Sequence, residues 1–312
     1  MSRFTRLTAL LSVSLLSVTG CHTTDHHETV MVEPEKPAFI EAIELAHGAE
    51  RYHKHNAVQA DFTVDFGGST IIAGNMVFNT DAGKVRMELN DGSTIVFDGF
   101  NAWVTPNDAP IQMARFHALT WPYFLAAPMK LADQGTNLDD IGMAPLDEQN
   151  HLAAMKLTFD SSVGDAPDDW YILLKDPDTD ALRAMAYIVT YGKSQQEAEE
   201  SPSLIEYNAF KTVEGVAFAT DWTFYHWDPA TGKSDTPKGH AKISNIRFVD
   251  PSPGSFIRPM NARIDELPEP PAPPAEEAHT HDHDEAHADM HDDAEDHEDH
   301  DADENHEEEH NE

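Results

Sequence analysis

The chain has 312 residues, enough for one large domain with tails or for two small ones. Its formal net charge of −37 excludes a general affinity for nucleic acid, which needs a basic face, and disfavours electrostatic docking on anionic lipid. Cys21 is the single cysteine, so no disulfide can form within the chain.

Residues 1–20 read as a lipoprotein signal peptide. Arg3 and Arg6 form a short basic stretch, and Leu7 to Val18 is an apolar run too short to span a bilayer as a stable helix. Val18-Thr19-Gly20-Cys21 resembles the lipobox of bacterial lipoproteins. The resemblance implies cleavage before Cys21, a diacylglycerol thioether on its sulfur, and acylation of the new amino group by a palmitate-type chain. Several acyl chains at about 0.8 kcal/mol per buried methylene make a permanent membrane anchor. His22 stands where aspartate retains enteric lipoproteins in the inner membrane, which points to the outer membrane of a bacterial envelope, with either face open.

Residues 21–37 form a polar tether, and Pro37 suits the first turn of a helix. Phe39, Ile40, Ile43, Leu45, Ala46 and Ala49 recur near helical spacing, predicting an amphipathic helix from Ala38 to about His53. His47, His53 and His55 do not share a helical face, so they are expected to be solvated helix-end histidines rather than metal ligands. Next comes an antiparallel meander from Ala57 to Thr105. Val58, Ala60, Phe62, Val64 and Phe66 alternate with polar residues, and Gly67-Gly68, Asp81-Ala82-Gly83, Asp91-Gly92 and Asp98-Gly99 mark the turns.

Asn107 to Asp133 breaks the alternation. It is apolar and aromatic, including Phe116, Trp121 and Phe124, and Pro122 and Pro128 are expected to chop it into short helices. A lid across an open sheet and packed core helices both suit it. Strands resume at Leu152, Trp170 to Lys175, Leu182 to Tyr191, Ser203 to Phe210, Val216 to Ala219, Asp221 to Trp227 and Gly239 to Val249, with an acidic surface loop over Lys193 to Ser203. Asp176-Pro177-Asp178-Thr179-Asp180 looks like a calcium loop, but Ala181 and Tyr187 occupy positions that need glycine and glutamate, so a hairpin turn is expected. The whole is an α+β domain over residues 38–266. Its basis is a single highly curved antiparallel sheet of 10 or 11 strands, a half-barrel with an N-terminal helix and a helical insertion.

The chain is similar to the LolA/LolB-like superfamily of lipoprotein-localisation carriers. The likeness lies in an N-terminal helix before a long meander, in Asp91-Gly92 and Asp98-Gly99 bracketing a strand, in Trp103-Val104 after it, and in the insertion Leu119-Thr120-Trp121-Pro122-Tyr123-Phe124. It implies a half-barrel with an apolar cavity under a helical lid, receiving a lipid or the acyl chain of a lipoprotein. Val58, Ala60, Phe62, Val64, Phe66, Phe116, Trp121 and Phe124 are the candidate cavity residues.

No G-x-S-x-G, P-loop or H-E-x-x-H pattern occurs, so no catalytic residues are assigned and no cofactor is required. The acid pairs Asp139-Asp140 and Asp168-Asp169 are expected in solvated turns. Beyond a Pro-rich linker (residues 267–275), residues 276–312 read as a disordered tail. There His279, His281, His283, His287, His291, His297, His300, His306 and His310 stand among acids with no lysine or arginine. This ligand set suits a divalent metal such as zinc or copper, and an acidic solubilising tail suits the same composition. The sequence therefore supports a lipid-anchored envelope protein that binds a hydrophobic ligand, with envelope metal handling by the tail as the alternative.

Overall fold

A computed structural model describes residues 36–268. The expected signal peptide, Cys21, most of the expected tether and linker, and the histidine-rich residues 276–312 lie outside the described residues.

The helix expected from Ala38 to His53 is two helices, α1 (Ala38–His47) and α2 (Ala49–Tyr52). Gly48 breaks it with φ +75°, and a Cβ there would stand 2.3 Å from the carbonyl oxygen of Gly215. Ile40, Ile43 and His47 form the buried stripe of α1 at i, i+3 and i+7, whereas Leu45 faces solvent. His47 is thus a core residue and not a solvated one.

The meander forms as its alternation predicts: β1 (Ala57–Phe66), β2 (Ser69–Asn79), β3 (Val85–Leu89), β4 (Thr94–Phe97) and β5 (Ala102–Thr105) pair antiparallel in sequence order. Aspartates pin its turns. Asp91 accepts from the Ser93 backbone N–H and hydroxyl. Asp98 accepts from the backbone of Phe100 and Asn101 and, at 2.7 Å, from Trp103 Nε1, while Arg258 lies over the Trp103 ring. That geometry explains why Asp98-Gly99 is followed by tryptophan: one carboxylate closes the turn and orients the ring.

From β5 the chain crosses to the far side of the molecule. Helix α3 (Ala114–Ala126) and a 3-10 turn (Ala127–Met129) lead into β6 (Thr136–Pro145), followed by β7 (His151–Phe159), β8 (Tyr171–Lys175) and β9 (Leu182–Tyr187). A one-turn helix α4 (Gln195–Glu199), closed by a capping box at Ser194, lies within the expected acidic loop. Then follow β10 (Ser203–Val213), β11 (Val216–Asp228), β12 (Gly232–Lys233), β13 (Gly239–Val249) and β14 (Arg263–Asp265). The expected strands at Val216–Ala219 and Asp221–Trp227 are one strand, and β6, β12 and β14 raise the total to 14. The Asp176 turn is a hairpin turn, its carboxylate accepting from Asp178 and Thr179.

All the strands belong to one curved, unclosed sheet, in the order β14-β5-β4-β3-β2-β1-β13-β11-β10-β9-β8-β7-β6, with β12 on β11. Strand β13 joins two meanders, pairing β1 on one side and β11 on the other. This topology makes the insertion a crossing. Strand β5 lies next to one edge and β6 is the other edge, so residues 106–135 must span the open side.

The main core lies between the helices and the inward sheet face. The outward face of the second meander has its own small core, with Ile172, Leu174, Ala186 and Leu204 beneath Trp227, whose Nε1 donates to the Pro145 carbonyl.

Proline does not chop α3. Pro122 sits inside the helix, and Pro128 lies in the 3-10 turn four residues after Phe124, where it removes the N–H that the Phe124 carbonyl would otherwise accept. The Tyr207 hydroxyl donates to that carbonyl at 2.9 Å in a buried position. Tyr207→Phe is therefore expected to lower stability by about 1–2 kcal/mol, the cost of leaving a buried carbonyl without a donor. Urea unfolding measures this, and an unchanged midpoint would show that the carbonyl finds another donor.

Candidate functional site: an apolar cleft under the crossing helix

Helix α3 is apolar on almost every side, which is why lid and core element were both open in sequence. Ala114, Ala118, Trp121 and Leu125, at i, i+4, i+7 and i+11, are buried in the main core. Phe116, Leu119, Thr120 and Tyr123 form a second stripe at i, i+3, i+4 and i+7, and this stripe walls a cleft of about 520 Å³. The helix is thus both a core element and a cleft wall. It fills much of the concavity and leaves a groove toward the second meander.

The opposite wall comes from the inward alternation at the ends of three strands. Phe159 follows Met155 and Leu157 of β7, and Val189 follows Met185 and Tyr187 of β9. Tyr171 opens β8, with Leu173 buried after it. Tyr123 and Tyr171, both in the lining, pack against each other with ring centroids 5.7 Å apart and join the two walls there. Burial pushes the Tyr171 hydroxyl well above its ordinary range.

Charged groups ring the mouth. Arg115, in the first turn of α3, forks onto Asp165 in the β7–β8 loop, donates from Nη1 to the Phe100 carbonyl at 2.8 Å, and lies over the Phe97 ring. Lys130 pairs with Asp133 and donates to the backbone carbonyl of Asp81 at 2.8 Å. Asp169 is half-buried in the cleft wall rather than in the solvated turn expected for it, while Asp168 is exposed. Its Oδ1 accepts from the Thr190 backbone N–H at 2.7 Å and from the Thr190 hydroxyl at 2.8 Å. Burial raises its carboxyl to about 6, although the Thr190 hydrogen bonds pull the other way. The period of two from Tyr171 back to Asp169 was the available signal for its inward position. The other acid pair, Asp139-Asp140, is exposed as expected but lies on the edge strand β6.

Of the eight cavity residues expected from sequence, Phe116 and Phe124 line this cleft. Trp121 is buried behind it, stacked on His117, whose Nδ1 accepts from the indole N–H at 3.1 Å. Burial lowers His117 to about 4, so its imidazole is neutral at neutral pH. Val58, Ala60, Phe62 and Val64 lie in the main core, and the partly buried Phe66 packs on Phe224 with centroids 4.9 Å apart. Among the described residues, no group of three or more His, Cys, Asp or Glu is placed to hold a metal ion.

The fold and this site define a class: an open, curved antiparallel sheet whose crossing helix bounds an apolar cleft. No family model matches the chain, and no curated protein matches it. Among solved structures, the chain is similar to a LolA-superfamily protein from Nitrosomonas europaea, at 9% identity, over 70% of this chain and 96% of that one, with a TM-score of 0.46. It is similar to a putative outer-membrane lipoprotein-sorting protein domain from Vibrio parahaemolyticus, at 10% identity, over 70% and 97% of the two chains, with a TM-score of 0.42. A DUF1329-family protein from Desulfovibrio piger matches at 10% identity, over 71% and 98%, with a TM-score of 0.39. These are likenesses of chain path at low identity.

Proposed function

We propose that this chain is an envelope lipoprotein, anchored through Cys21, whose domain binds the acyl chain of a lipid or lipoprotein. The observation that carries the reading is the cleft beside α3. Its volume of about 520 Å³ lies in the range of small-ligand sites, roughly 300–1,000 Å³. Phe116, Leu119, Tyr123, Phe159, Tyr171 and Val189 supply an apolar wall that needs no catalytic residue to capture a chain. A sixteen-carbon chain leaving water gains on the order of 12 kcal/mol before the costs of binding.

The mature chain carrying Cys21→Ser is expected to take up 1-N-phenylnaphthylamine with a rise in fluorescence, and Leu119→Trp, which fills the cleft from α3, is expected to reduce uptake about tenfold or more. Thermal unfolding of the variant separates a blocked cleft from a lost fold. Uptake that is absent, or indifferent to a folded Leu119→Trp, would rule the reading out.

A second reading concerns the tail, where nine histidines from His279 to His310 alternate with carboxylates. Envelope handling of zinc or copper by this segment uses a different part of the chain and coexists with acyl binding. Zinc titration of the mature chain, with and without residues 276–312, tests it: binding that survives the deletion would sink the idea.

A further inference from the structure

We infer that Asp169 is the polar anchor of the cleft, and that the cleft takes an acyl chain with an uncharged, hydrogen-bond-donating head in preference to a fatty acid. The inference rests on the acyl-binding reading and adds the chemistry of the head.

The wall carries four carboxylates, Asp81, Asp133, Asp165 and Asp169, against two cations, Arg115 and Lys130. Both cations are engaged, Arg115 by Asp165 and Lys130 by Asp133. Asp81 and Asp169 are left without a cationic partner among the described residues. A carboxylate or phosphate head entering here would meet negative charge, and neither of the two lining cations is free to receive it. In a partly desolvated cleft such like-charge contact is costly.

The two unpaired acids differ in placement. Asp81 is exposed at the rim, its Oδ1 accepting from the Gly83 backbone N–H at 2.7 Å. Asp169 lies half-buried in the cleft wall, two residues before Tyr171, and both Thr190 hydrogen bonds fall on its Oδ1. Those bonds fix the carboxyl group, and no described residue donates to Oδ2. This oxygen is therefore free to accept from an amide or hydroxyl on a ligand whose chain lies along Tyr171, Phe159 and Leu119. The upward shift of Asp169 agrees with a desolvated site but is not needed for the geometry.

The test is displacement of bound 1-N-phenylnaphthylamine from the mature chain carrying Cys21→Ser. The competitors are palmitamide, monopalmitoylglycerol and palmitate, each below its micellar range. At about pH 7.5, where palmitate is ionised, palmitamide and monopalmitoylglycerol are expected to displace half the dye at about tenfold lower concentration than palmitate. Asp169→Asn keeps an acceptor for Thr190 but removes the charge and places an amide donor at the ligand side, so it is expected to shrink that gap to about threefold or less. Palmitate competing as well as the neutral ligands in the unmodified cleft would overturn the inference and leave acyl binding standing, whatever the variant's folding. So would a folded Asp169→Asn with the wild-type ranking. Failure of the unmodified cleft to bind the dye would overturn both.

Discussion

His47→Leu is expected to lower the stability of the domain by about 3 kcal/mol, because it strips two buried backbone groups of their partners at once. The imidazole joins three elements. Its Nδ1 lies 2.9 Å from the Ala217 carbonyl of β11, and its Nε2 accepts from the Leu182 N–H of β9 at 3.0 Å. Accepting at Nε2 requires the neutral ring with its proton on Nδ1. Leucine fills similar space but can serve neither group. The same geometry makes stability depend on pH. Burial, partly opposed by the Ala217 hydrogen bond, lowers the folded pKa below the ordinary 6.5. The contribution is therefore fully present above about pH 6.5 and is lost as pH falls toward the folded value, where the unfolded chain has already taken up its proton. His117 acts with the same sign down to about 4. Asp169, raised to about 6, acts with the opposite sign, favouring the folded state on acidification between about 6 and 3.8. Urea unfolding at about pH 7.5 and pH 5 should show the difference between the two pH values changing in His47→Leu. A variant with wild-type stability at both would mean that the ring is not the link between α1 and the sheet.

Arg115→Met is expected to cost about 3 kcal/mol, since it leaves Asp165 charged and largely enclosed. Both side chains are mostly buried, at 12% and 14% exposure, so solvent screens the pair much less than a surface bridge. The arginine holds more than one carboxylate. Through the Phe100 carbonyl it ties α3 to the first meander, and through Asp165 to the second. The backbone N–H of Arg115 also donates to Asp265 of β14 at 2.9 Å. Removing the fork should loosen the start of the crossing helix and widen the cleft mouth as well as destabilise the fold. Arg115→Met combined with Asp165→Leu is expected to recover most of the lost stability, because no charge is then stranded. Additive losses in the double variant would show that the two residues act separately.

Much of the architecture was legible along the chain, and the reason is local. Period-two alternation in β1 and aspartate–glycine turns at Asp91 and Asp98 act over a few residues, so they read correctly without tertiary context. The missed elements lacked such signals. Strand β6 pairs on one side only and shows solvent a run of residues including Asp139 and Asp140, so its sequence does not alternate cleanly. Strand β14 is three residues long and exists because β5 offers it an edge. Pro122 and Pro128 suggested broken helices, yet partners elsewhere in the fold, such as the Tyr207 hydroxyl, can satisfy what proline frees.

By itself, then, the sequence determined the strands and turns of an antiparallel sheet, above all its first meander, and the aromatic segment between Asn107 and Asp133, since each depends on neighbours within a turn or a hairpin. Only the tertiary structure decided which apolar residues meet each other and which face open space. Val58, Ala60, Phe62 and Val64 were as apolar as the true cleft walls, but they pack in the main core. The cleft instead lies where α3 presents its second stripe to Phe159, Tyr171 and Val189, far apart in sequence. His47 and Asp169 follow the same rule. Each was a polar residue on an inward period, and the partners that hold them, Leu182 and Ala217 for one and Thr190 for the other, are brought there only by the curvature of the open sheet around its helices.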